Sequence, residues 1–232
     1  MVKEHHSQQN LPKPGDFTPA LGRTALTGSY DWAIRLLTRE RRWRGALLRQ
    51  LAPCDGEAIL DVGCGTGTFA IMLKRASPGA RVVGIDPDPQ ILSIASDKAK
   101  QAGVDIEWQQ GFAHEAGRFA GTFDKVVSSL VFHQVPIAGK QEGLAAMFAA
   151  ARPGGEVHIA DYARQHSWLM RRLFRATVQR IDGRADTQPN ADGALEAILA
   201  SLAGAEVAQP NLVVPTPTGA ISLFRAIKPA GE

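Results

Sequence analysis

The residues best placed to do chemistry are three glycines, Gly63, Gly65 and Gly67, in the stretch ILDVGCGTG over 59–67. An apolar run that stops at glycines and continues into a helix-like segment exposes backbone N–H groups and a helix N-terminus. Such a turn can bind a negatively charged ligand group at close range, because no Cβ stands in the way. The sequence therefore predicts a ligand-binding turn here.

The glycine spacing narrows the class of ligand. Dinucleotide-binding turns use G-x-G-x-x-G, whereas this turn has G-x-G-x-G, and a P-loop would need Gly-Lys-Ser/Thr where this chain has Gly67, Thr68 and Phe69. Asp86 ends the next apolar run, where a carboxylate can accept hydrogen bonds from two ribose hydroxyls. We therefore expect a ligand with a free ribose, although these residues alone do not separate one adenosine cofactor from another.

The segments around the turn alternate between short apolar runs and helical stretches, which indicates a parallel sheet covered on both faces. An amphipathic helix that Gly45 could interrupt is predicted first, at 31–51. We predict strands at 58–62, 81–86, 104–110, 123–131, 156–161, 206–214 and 218–227. Further helices are predicted at 67–77, 88–102, 138–151 and 191–205. In such a sheet the ligand lies beyond the carboxyl ends of the strands, where the first strand meets the glycines.

Length and composition fit one globular domain. The 232 residues are 44% hydrophobic and 21% charged, which is enough for a sizeable core. We predict a flexible arm over 1–28 and a single domain over 29–232. No apolar run approaches the ~18 residues of a membrane span, and the N-terminus lacks a secretory signal, which predicts a cytoplasmic protein. Cys54 and Cys64 are too few for a disulfide framework and are predicted to be free thiols.

Basic residues are concentrated in two blocks. Residues 35–49 and 164–184 each contain six Arg and one acidic residue, a net charge of +5 for each block, whereas the whole chain carries only +3. The rest of the chain is therefore net acidic, which argues against a uniformly basic nucleic-acid binder.

The second block also has the pattern of an amphipathic helix, over 164–180, with Trp168 and Phe174 among its arginines. It follows the fifth predicted strand, so we expect a helical lid at about 162–189 above the mouth of the site. The lid either only covers the pocket, or also meets an anionic membrane surface or an anionic substrate.

Four ordered segments carry a resemblance to a known family: ILDVGCGTG, VVGIDPDPQIL, FDKVVSSLVFHQVP and MFAAARPGGEVHIAD. In this order and at these separations they resemble the class I S-adenosylmethionine-dependent methyltransferases, over residues 30–228. The chain is most similar to the small-molecule branch that includes ubiquinone and menaquinone biosynthesis methyltransferases. The resemblance implies an α/β fold with a Rossmann-like, mostly parallel sheet of seven strands. The last strand would be antiparallel, helices would cover both faces, and an N-terminal helix and a lid after the fifth strand would complete the domain.

The resemblance also implies the cofactor, S-adenosylmethionine, and the residues that bind it. Asp61 would steer the turn and the cofactor's amino group, Asp86 would bind the ribose hydroxyls, and Pro87 would lie near the adenine. The glycine turn and the ends of the third and fourth strands would supply the remaining contacts: Gly63, Cys64, Gly65, Thr66, Gly67, Gly111, Phe112, Ala113, Ser128, Ser129 and Leu130.

One position departs from the family's pattern. The family usually has Gly-Asp-Ala after the third strand, with the carboxylate on the adenine amino group, and this chain has Phe112 in place of that Asp. Either an aromatic contact from Phe112, or a side chain from His114 or Glu115, would then hold the adenine.

His133 is the predicted catalytic residue, because it follows the fourth strand on the side where the reacting methyl group should lie. Tyr30 and Tyr162 are the candidates behind it for a general base. Positioning alone can lower the barrier to methyl transfer by roughly 7–11 kcal/mol, so a base is not a requirement. His158 is interpreted as a structural residue on one sheet face, and no metal site is predicted.

The predicted function is methyl transfer to a small or lipophilic organic acceptor, at C, O or N, by in-line displacement. The stretch SSLVFHQV after the fourth strand lacks the motifs of enzymes that methylate nucleic-acid bases and the acidic ligands of catechol-type enzymes. Two alternatives stay open: an NAD(P)-dependent oxidoreductase, from the glycine turn with Asp86, and a nucleic-acid-binding or -modifying factor, from the Arg blocks. The expected partner is a small molecule, lipophilic or anionic, with peripheral membrane contact allowed and a monomer or homodimer in solution.

Overall fold

The structure of the protein is a computed structural model, and it describes residues 39–230. The predicted arm over 1–28, the domain boundary at residue 29 and Tyr30 lie outside the described residues, as does the first part of the predicted helix over 31–51. The fold therefore tests none of the predictions made for that part of the chain.

The first described helix, α1, spans Glu40–Leu51. Its buried residues include Trp43, Leu47 and Leu51, which are four residues apart and so lie on one helix face. The helix continues through Gly45 without a break. It begins at Glu40, because Arg39 has the left-handed backbone conformation with a φ of 51°, so the predicted helix over 31–51 is not continuous through residue 39.

Within residues 39–230, seven strands form one sheet in the order β3-β2-β1-β4-β5-β7-β6. Their bounds are Ala58–Val62 (β1), Arg81–Asp86 (β2), Glu107–Gln110 (β3), Phe123–Ser129 (β4), Ala151–Tyr162 (β5), Leu212–Thr216 (β6) and Gly219–Ile227 (β7). Strands β1 to β5 pair in parallel, and β7 pairs antiparallel with both β5 and β6. The predicted Rossmann-like sheet with an antiparallel last strand is confirmed.

Helices cover both faces of the sheet. Helix α2 spans Thr68–Ala76, α3 spans Pro89–Ala102 and α4 spans Ile137–Ala150. Side chains of α1, α2 and α3 join one buried apolar cluster, and those of α4 join a second cluster on the other face. The start of α3 is fixed locally, because the Asp88 carboxylate accepts hydrogen bonds from the N–H groups of Gln90 and Ile91.

Several predicted strand boundaries are wrong. β3 begins at residue 107 rather than 104, and β4 ends at 129 rather than 131. β5 begins at 151, where Ala151 pairs with Phe123, and its pairing with β4 resumes at Glu156 after an irregularity that contains Pro153 and the two glycines. β6 begins at 212, because Ala205–Ala208 forms a 3-10 turn instead of a strand.

The lid is a group of short helices rather than the single predicted helix over 164–180. Helix α5 spans Trp168–Ala176, α6 spans Val178–Ile181 and α7 spans Arg184–Asp192. Thr177 separates the first two, since its hydroxyl bonds to the carbonyl oxygen of Leu173 at 2.7 Å and its backbone is not helical.

The last helix, α8, spans Ala194–Ala203 and joins the same buried cluster as α4. It begins at 194 rather than at the predicted 191, because Gly193 has a φ of 108°. None of the described helices is long and apolar enough to cross a membrane.

Candidate active site

The glycine turn is held against β2 and leaves one side open. The N–H groups of Gly63 and Cys64 donate to the carbonyl oxygen of Ile85 at 2.8 and 3.1 Å. Gly63 has a φ of 68°, and a Cβ there would lie 2.3 Å from Cγ2 of Val131. Gly65 has a φ of 53°, and a Cβ there would have no neighbour within 4 Å among the described residues. The open side of the turn is therefore at Gly65, where a ligand can approach the backbone.

Asp86 lies directly beside this opening. One of its carboxylate oxygens accepts the Gly65 N–H at 2.9 Å, and the other accepts the Asp88 N–H at 3.1 Å. Burial raises the pKa of Asp86, and the side chain is only half-buried. Asp86 therefore keeps a partly exposed carboxylate at the turn, as a ribose-binding residue requires.

Asp61 is completely buried, and neither of its carboxylate oxygens has a hydrogen-bond partner of ordinary distance and angle among the described residues. Burial raises the pKa of Asp61 to about 7, and the positive charge of Arg44 and the backbone N–H of Ala70 partly oppose that rise. A buried carboxylate without a hydrogen-bond partner is costly. Asp61 therefore fits a site that receives a cationic ligand group.

Arg44 is a residue of this site that sequence reasoning assigned only to a basic surface block. It lies on α1, only 18% of its side chain is exposed, and its Nη1 lies 2.5 Å from a carboxylate oxygen of Glu40. Its charge acts on Asp61 across the helix–sheet interface. The sequence gives one weak indication that the Arg44 side chain is held in place: Glu40 lies four residues earlier on the same helix, where the two side chains can pair.

The other turn residues pack inward. Lys98 Nζ on α3 donates to the hydroxyls of Thr66 at 2.9 Å and Thr68 at 2.7 Å. Cys64 is a buried free thiol whose pKa is raised by burial, and Cys54 is an exposed free thiol. Trp108, which the sequence analysis did not single out, lies beneath the turn, since a Cβ on Gly67 would be 2.5 Å from its ring.

The end of β3 offers an exposed aromatic surface. The rings of Phe112 and His114 stack with centroids 5.8 Å apart and an angle of 9° between their planes. Glu115 instead caps the turn, because its carboxylate accepts the Phe112 N–H at 2.7 Å. Gly111 is fixed by a 3.1 Å hydrogen bond from its N–H to the carbonyl oxygen of Asp86. Of the two predicted ways to hold adenine, this geometry favours the aromatic one.

Three further predicted residues flank these groups. Pro87 follows Asp86 and accepts a hydrogen bond from the Gln110 side chain at 3.2 Å, and Ala113 packs toward α4. Ser128 is completely buried, and its hydroxyl donates to the carbonyl oxygen of Val62 at 2.8 Å. The Ser128 hydroxyl therefore faces β1 inside the sheet rather than an open site.

The chain leaves β4 in a strained turn. Ser129 and Leu130 are half-buried, and Leu130 has a φ of 56°, which is costly for a residue with a branched side chain. The Leu130 N–H donates to the carbonyl oxygen of Ala160 at 2.9 Å. Strained backbone of this kind persists only where its surroundings fix it.

Asp161, at the end of β5, fixes this turn. Its buried carboxylate accepts backbone N–H groups from Val131 at 3.0 Å, Phe132 at 2.7 Å and Tyr162 at 2.8 Å. It also bonds to Nδ1 of His133 at 2.7 Å. Sequence reasoning missed this residue, because the pattern shows only that an Asp ends the fifth strand.

His133 is held between two carboxylates. Its Nδ1 bonds to Asp161, and its Nε2 lies 3.4 Å from a carboxylate oxygen of Asp182 on the lid. Burial alone would lower the pKa of His133, but the two carboxylates raise it to about 9. The ring therefore carries a proton on both nitrogens at neutral pH, which suits a hydrogen-bond donor to an anion better than a general base.

Tyr162 and His158 are both buried, and their polar atoms are bonded to other side chains. The Tyr162 hydroxyl lies 2.5 Å from the Thr218 hydroxyl, and burial raises the pKa of Tyr162 to about 12. Tyr162 is thus poorly placed to act as a base. His158 is buried in the sheet between Glu156 at 2.8 Å and Gln50 at 3.2 Å, which agrees with the structural role predicted for it.

The described residues fit S-adenosylmethionine. The open backbone at Gly65 would accept the methionine part, the buried carboxylate of Asp61 would meet its ammonium group, and Asp86 would meet the ribose hydroxyls. The stacked rings at the end of β3 provide a flat surface for a purine.

Comparison with known proteins gives the same class. A family model described as "Methyltransferase domain" matches residues 59–155. A demethylmenaquinone methyltransferase from Deinococcus radiodurans is 31% identical over 159 residues, which cover 68% of this chain and 65% of that protein. One from Thermus thermophilus is 30% identical over 154 residues, which cover 66% of this chain and 69% of that protein.

Solved structures agree on the fold. Magnesium protoporphyrin IX methyltransferase from Synechocystis PCC 6803, solved with bound S-adenosylmethionine, matches with a TM-score of 0.61 at 17% identity, over 89% of this chain and 86% of that chain. At this identity the likeness concerns the fold alone. The family assignment rests on the 30% sequence identity to the Thermus enzyme, which covers 69% of that protein, and the strand order of the sheet agrees with it. The chain belongs to the class I S-adenosylmethionine-dependent methyltransferases.

Proposed function

We propose that the protein transfers the methyl group of S-adenosylmethionine to a small, lipophilic organic acceptor that resembles a quinone precursor. The observation that carries this proposal is the open backbone at Gly65, whose N–H bonds to the Asp86 carboxylate, together with the buried carboxylate of Asp61. The acceptor class is supported by relatives named demethylmenaquinone methyltransferase and ubiquinone biosynthesis O-methyltransferase. The chain spans 65% of the first and 46% of the second, so the acceptor itself stays a proposal.

When bound, the cofactor supplies a methyl group on a sulfonium, whose leaving group is already activated. The chain's own task is then to bind and orient. Asp86 would hold the ribose, and Asp61, with the charge of Arg44 nearby, would hold the amino-acid end of the cofactor. The turn after β4, fixed by Asp161, would form the wall on the acceptor side. Such positioning can account for much of the rate enhancement.

The two alternative functions are not favoured. The relatives that cover about two thirds of the chain are named methyltransferases, which does not support an NAD(P)-dependent oxidoreductase. The same names do not favour a nucleic-acid-binding or -modifying factor. A cytoplasmic location and a monomeric or homodimeric state stay predictions.

Replacing Asp86 tests the cofactor site. We expect Asp86→Ala to weaken binding of S-adenosylhomocysteine by about 1–3 kcal/mol, because two ribose hydroxyls lose a charged acceptor. Asp86→Asn keeps an oxygen for the Gly65 N–H and separates loss of charge from loss of the turn's shape. Calorimetric titration measures both, with Asp97→Ala on the exposed face of α3 as the control. Unchanged affinity in folded Asp86→Ala protein would show that the ribose is held elsewhere.

We also propose that the lid meets an anionic membrane surface. Trp168 is 72% exposed, and Leu169 and Ile181 are also exposed. Trp168 also lines an open groove of about 690 Å³, together with Arg171, Arg172, Arg175, Ala176 and Arg180. Arg171 is paired with Asp192 at 3.1 Å, and the other three arginines are exposed. Exposed aromatic and aliphatic groups beside arginines suit an interface with anionic lipid.

Removing the exposed arginines tests this contact. Each Arg near an anionic surface contributes about 1 kcal/mol, so we expect Arg172→Gln/Arg175→Gln/Arg180→Gln to lose more than about a hundredfold in affinity for phosphatidylserine vesicles. The control Arg75→Gln/Arg118→Gln/Arg152→Gln removes the same charge from other surfaces. Equal losses in both triple variants would indicate only a net-charge effect.

A further inference from the structure

A lid carboxylate closes against His133. Helix α6 ends at Ile181, and the N–H of the next residue, Asp182, donates to the carbonyl oxygen of Val178 at 2.9 Å. The Asp182 carboxylate lies 3.4 Å from Nε2 of His133. Gly183 follows with a φ of 82° and exposed surroundings. The His133–Asp182 contact therefore joins the turn after β4 to the segment of the lid that follows helix α6.

The other groups around His133 are occupied. Asp161 accepts from Nδ1 on the far side of the ring, and the ring of Tyr162 packs edge-to-face with its centroid 5.3 Å away. Lys140 is completely buried, and its ammonium group donates to the backbone oxygens of Phe132 and, at 2.9 Å, Asp186. The Tyr162 hydroxyl and the Lys140 ammonium are bonded to other groups. Within residues 39–230, the side chain that contacts Nε2 of His133 is therefore Asp182.

The position of this ring is close to the expected reaction centre. Val131 lies against Gly63 of the cofactor turn, and His133 comes two residues later at the same edge of the sheet. A doubly protonated ring at this depth carries one positive charge, which the Asp161 carboxylate at Nδ1 compensates, and its Nε2–H needs an acceptor of its own. Asp161 is fixed in the core, whereas Asp182 belongs to the inserted lid.

We propose that Asp182 occupies the place of the acceptor: an ionised oxygen of the acceptor, a phenolate or enolate, replaces the Asp182 carboxylate at Nε2 of His133. This inference rests on the proposed methyltransferase function and deepens it, because it names the chemical class of the acceptor. The two carboxylates that raise the pKa of His133 support a cationic ring. A neutral acceptor that displaced Asp182 would replace an ionised acceptor at Nε2 by an uncharged one, while Asp161 stays at Nδ1. Hydrogen bonds to ionised partners are the stronger ones, so His133 selects acceptors that carry an acidic hydroxyl.

Binding of a model phenolate tests the proposal without turnover. p-Nitrophenolate and its neutral methyl ether, p-nitroanisole, are titrated into protein saturated with S-adenosylhomocysteine. Asp182→Ala should bind p-nitrophenolate about tenfold more tightly than wild type, because the internal competitor is gone, and p-nitroanisole should bind equally to both. The control Asp192→Ala removes a lid carboxylate that pairs with Arg171 rather than His133, and should match wild type. The double variant Asp182→Ala/His133→Gln should lose the gain.

Failure of this inference is distinguishable from failure of the proposed function. If wild type does not bind S-adenosylhomocysteine, the methyltransferase proposal fails. If it binds the cofactor product while Asp182→Ala binds p-nitrophenolate no better than Asp192→Ala does, the inference about the acceptor is overturned on its own. A histidine NMR titration gives a second readout: the pKa of His133 should fall in Asp182→Asn, which keeps the shape of the side chain. An unchanged titration would show that the two groups do not interact, and would likewise overturn the inference.

Discussion

Gly65→Ala should weaken binding of S-adenosylhomocysteine about a hundredfold, a loss of ~2.7 kcal/mol, while the protein stays folded. The added Cβ meets no described atom within 4 Å, so packing does not oppose it. It projects instead into the open side of the turn, where the methionine part of the cofactor would approach the backbone. The φ of 53° adds a backbone cost of roughly 1–2 kcal/mol to folding, which the experiment must separate from the loss of binding.

Gly121→Ala is the matched control for that backbone cost. Gly121 has a φ of 69° and open space at its Cβ, as Gly65 does, but it precedes β4 at the opposite edge of the sheet. Both variants should lose a similar free energy of unfolding in urea, and only Gly65→Ala should lose affinity in calorimetry. Similar affinities in the two variants would mean that the ligand does not approach Gly65.

Asp161→Ala should lower the free energy of unfolding by about 4 kcal/mol or more. The change leaves the buried N–H groups of Val131, Phe132 and Tyr162 without their acceptor, and each costs roughly 1–3 kcal/mol. It also removes the core counter-charge of His133. Urea unfolding followed by circular dichroism measures the loss, and Asp161→Asn, which keeps one acceptor oxygen, should give an intermediate value.

Asp124→Ala is the comparison for Asp161. Its carboxylate accepts a single backbone N–H, from Ala58 at 2.7 Å, and pairs with the exposed Arg152. That loss should be about 1–2 kcal/mol. If Asp161→Ala were no more destabilising than Asp124→Ala, the turn after β4 would not depend on the Asp161 carboxylate.

The sheet and the glycine turn could be predicted from sequence because both depend on local signals. Alternating apolar runs and helical stretches gave the parallel strands, and glycine spacing with Asp86 at the end of the second strand indicated the cofactor turn. The errors lie where backbone geometry overrides periodicity. Thr177 ends a helix that the apolar spacing alone would continue, and Gly193 delays the start of another.

The acceptor side of the site could not be predicted in the same way, because its contacts join distant parts of the chain. Asp161 reaches back 28 residues to His133, and Arg44 on α1 acts on Asp61 in β1. Asp182 appeared only as one acidic residue within an Arg-rich block. Position after the fourth strand indicated His133, but its two carboxylate partners, which change its expected role from base to hydrogen-bond donor, require the tertiary fold.

Calorimetric titration of the wild-type protein with S-adenosylhomocysteine, and separately with NADH, tests the assignment of the glycine turn most directly. The open backbone at Gly65, bonded to Asp86, and the buried carboxylate of Asp61 predict saturable binding of one S-adenosylhomocysteine per chain and no binding of NADH. Saturable binding of NADH with no heat from S-adenosylhomocysteine would contradict the methyltransferase function.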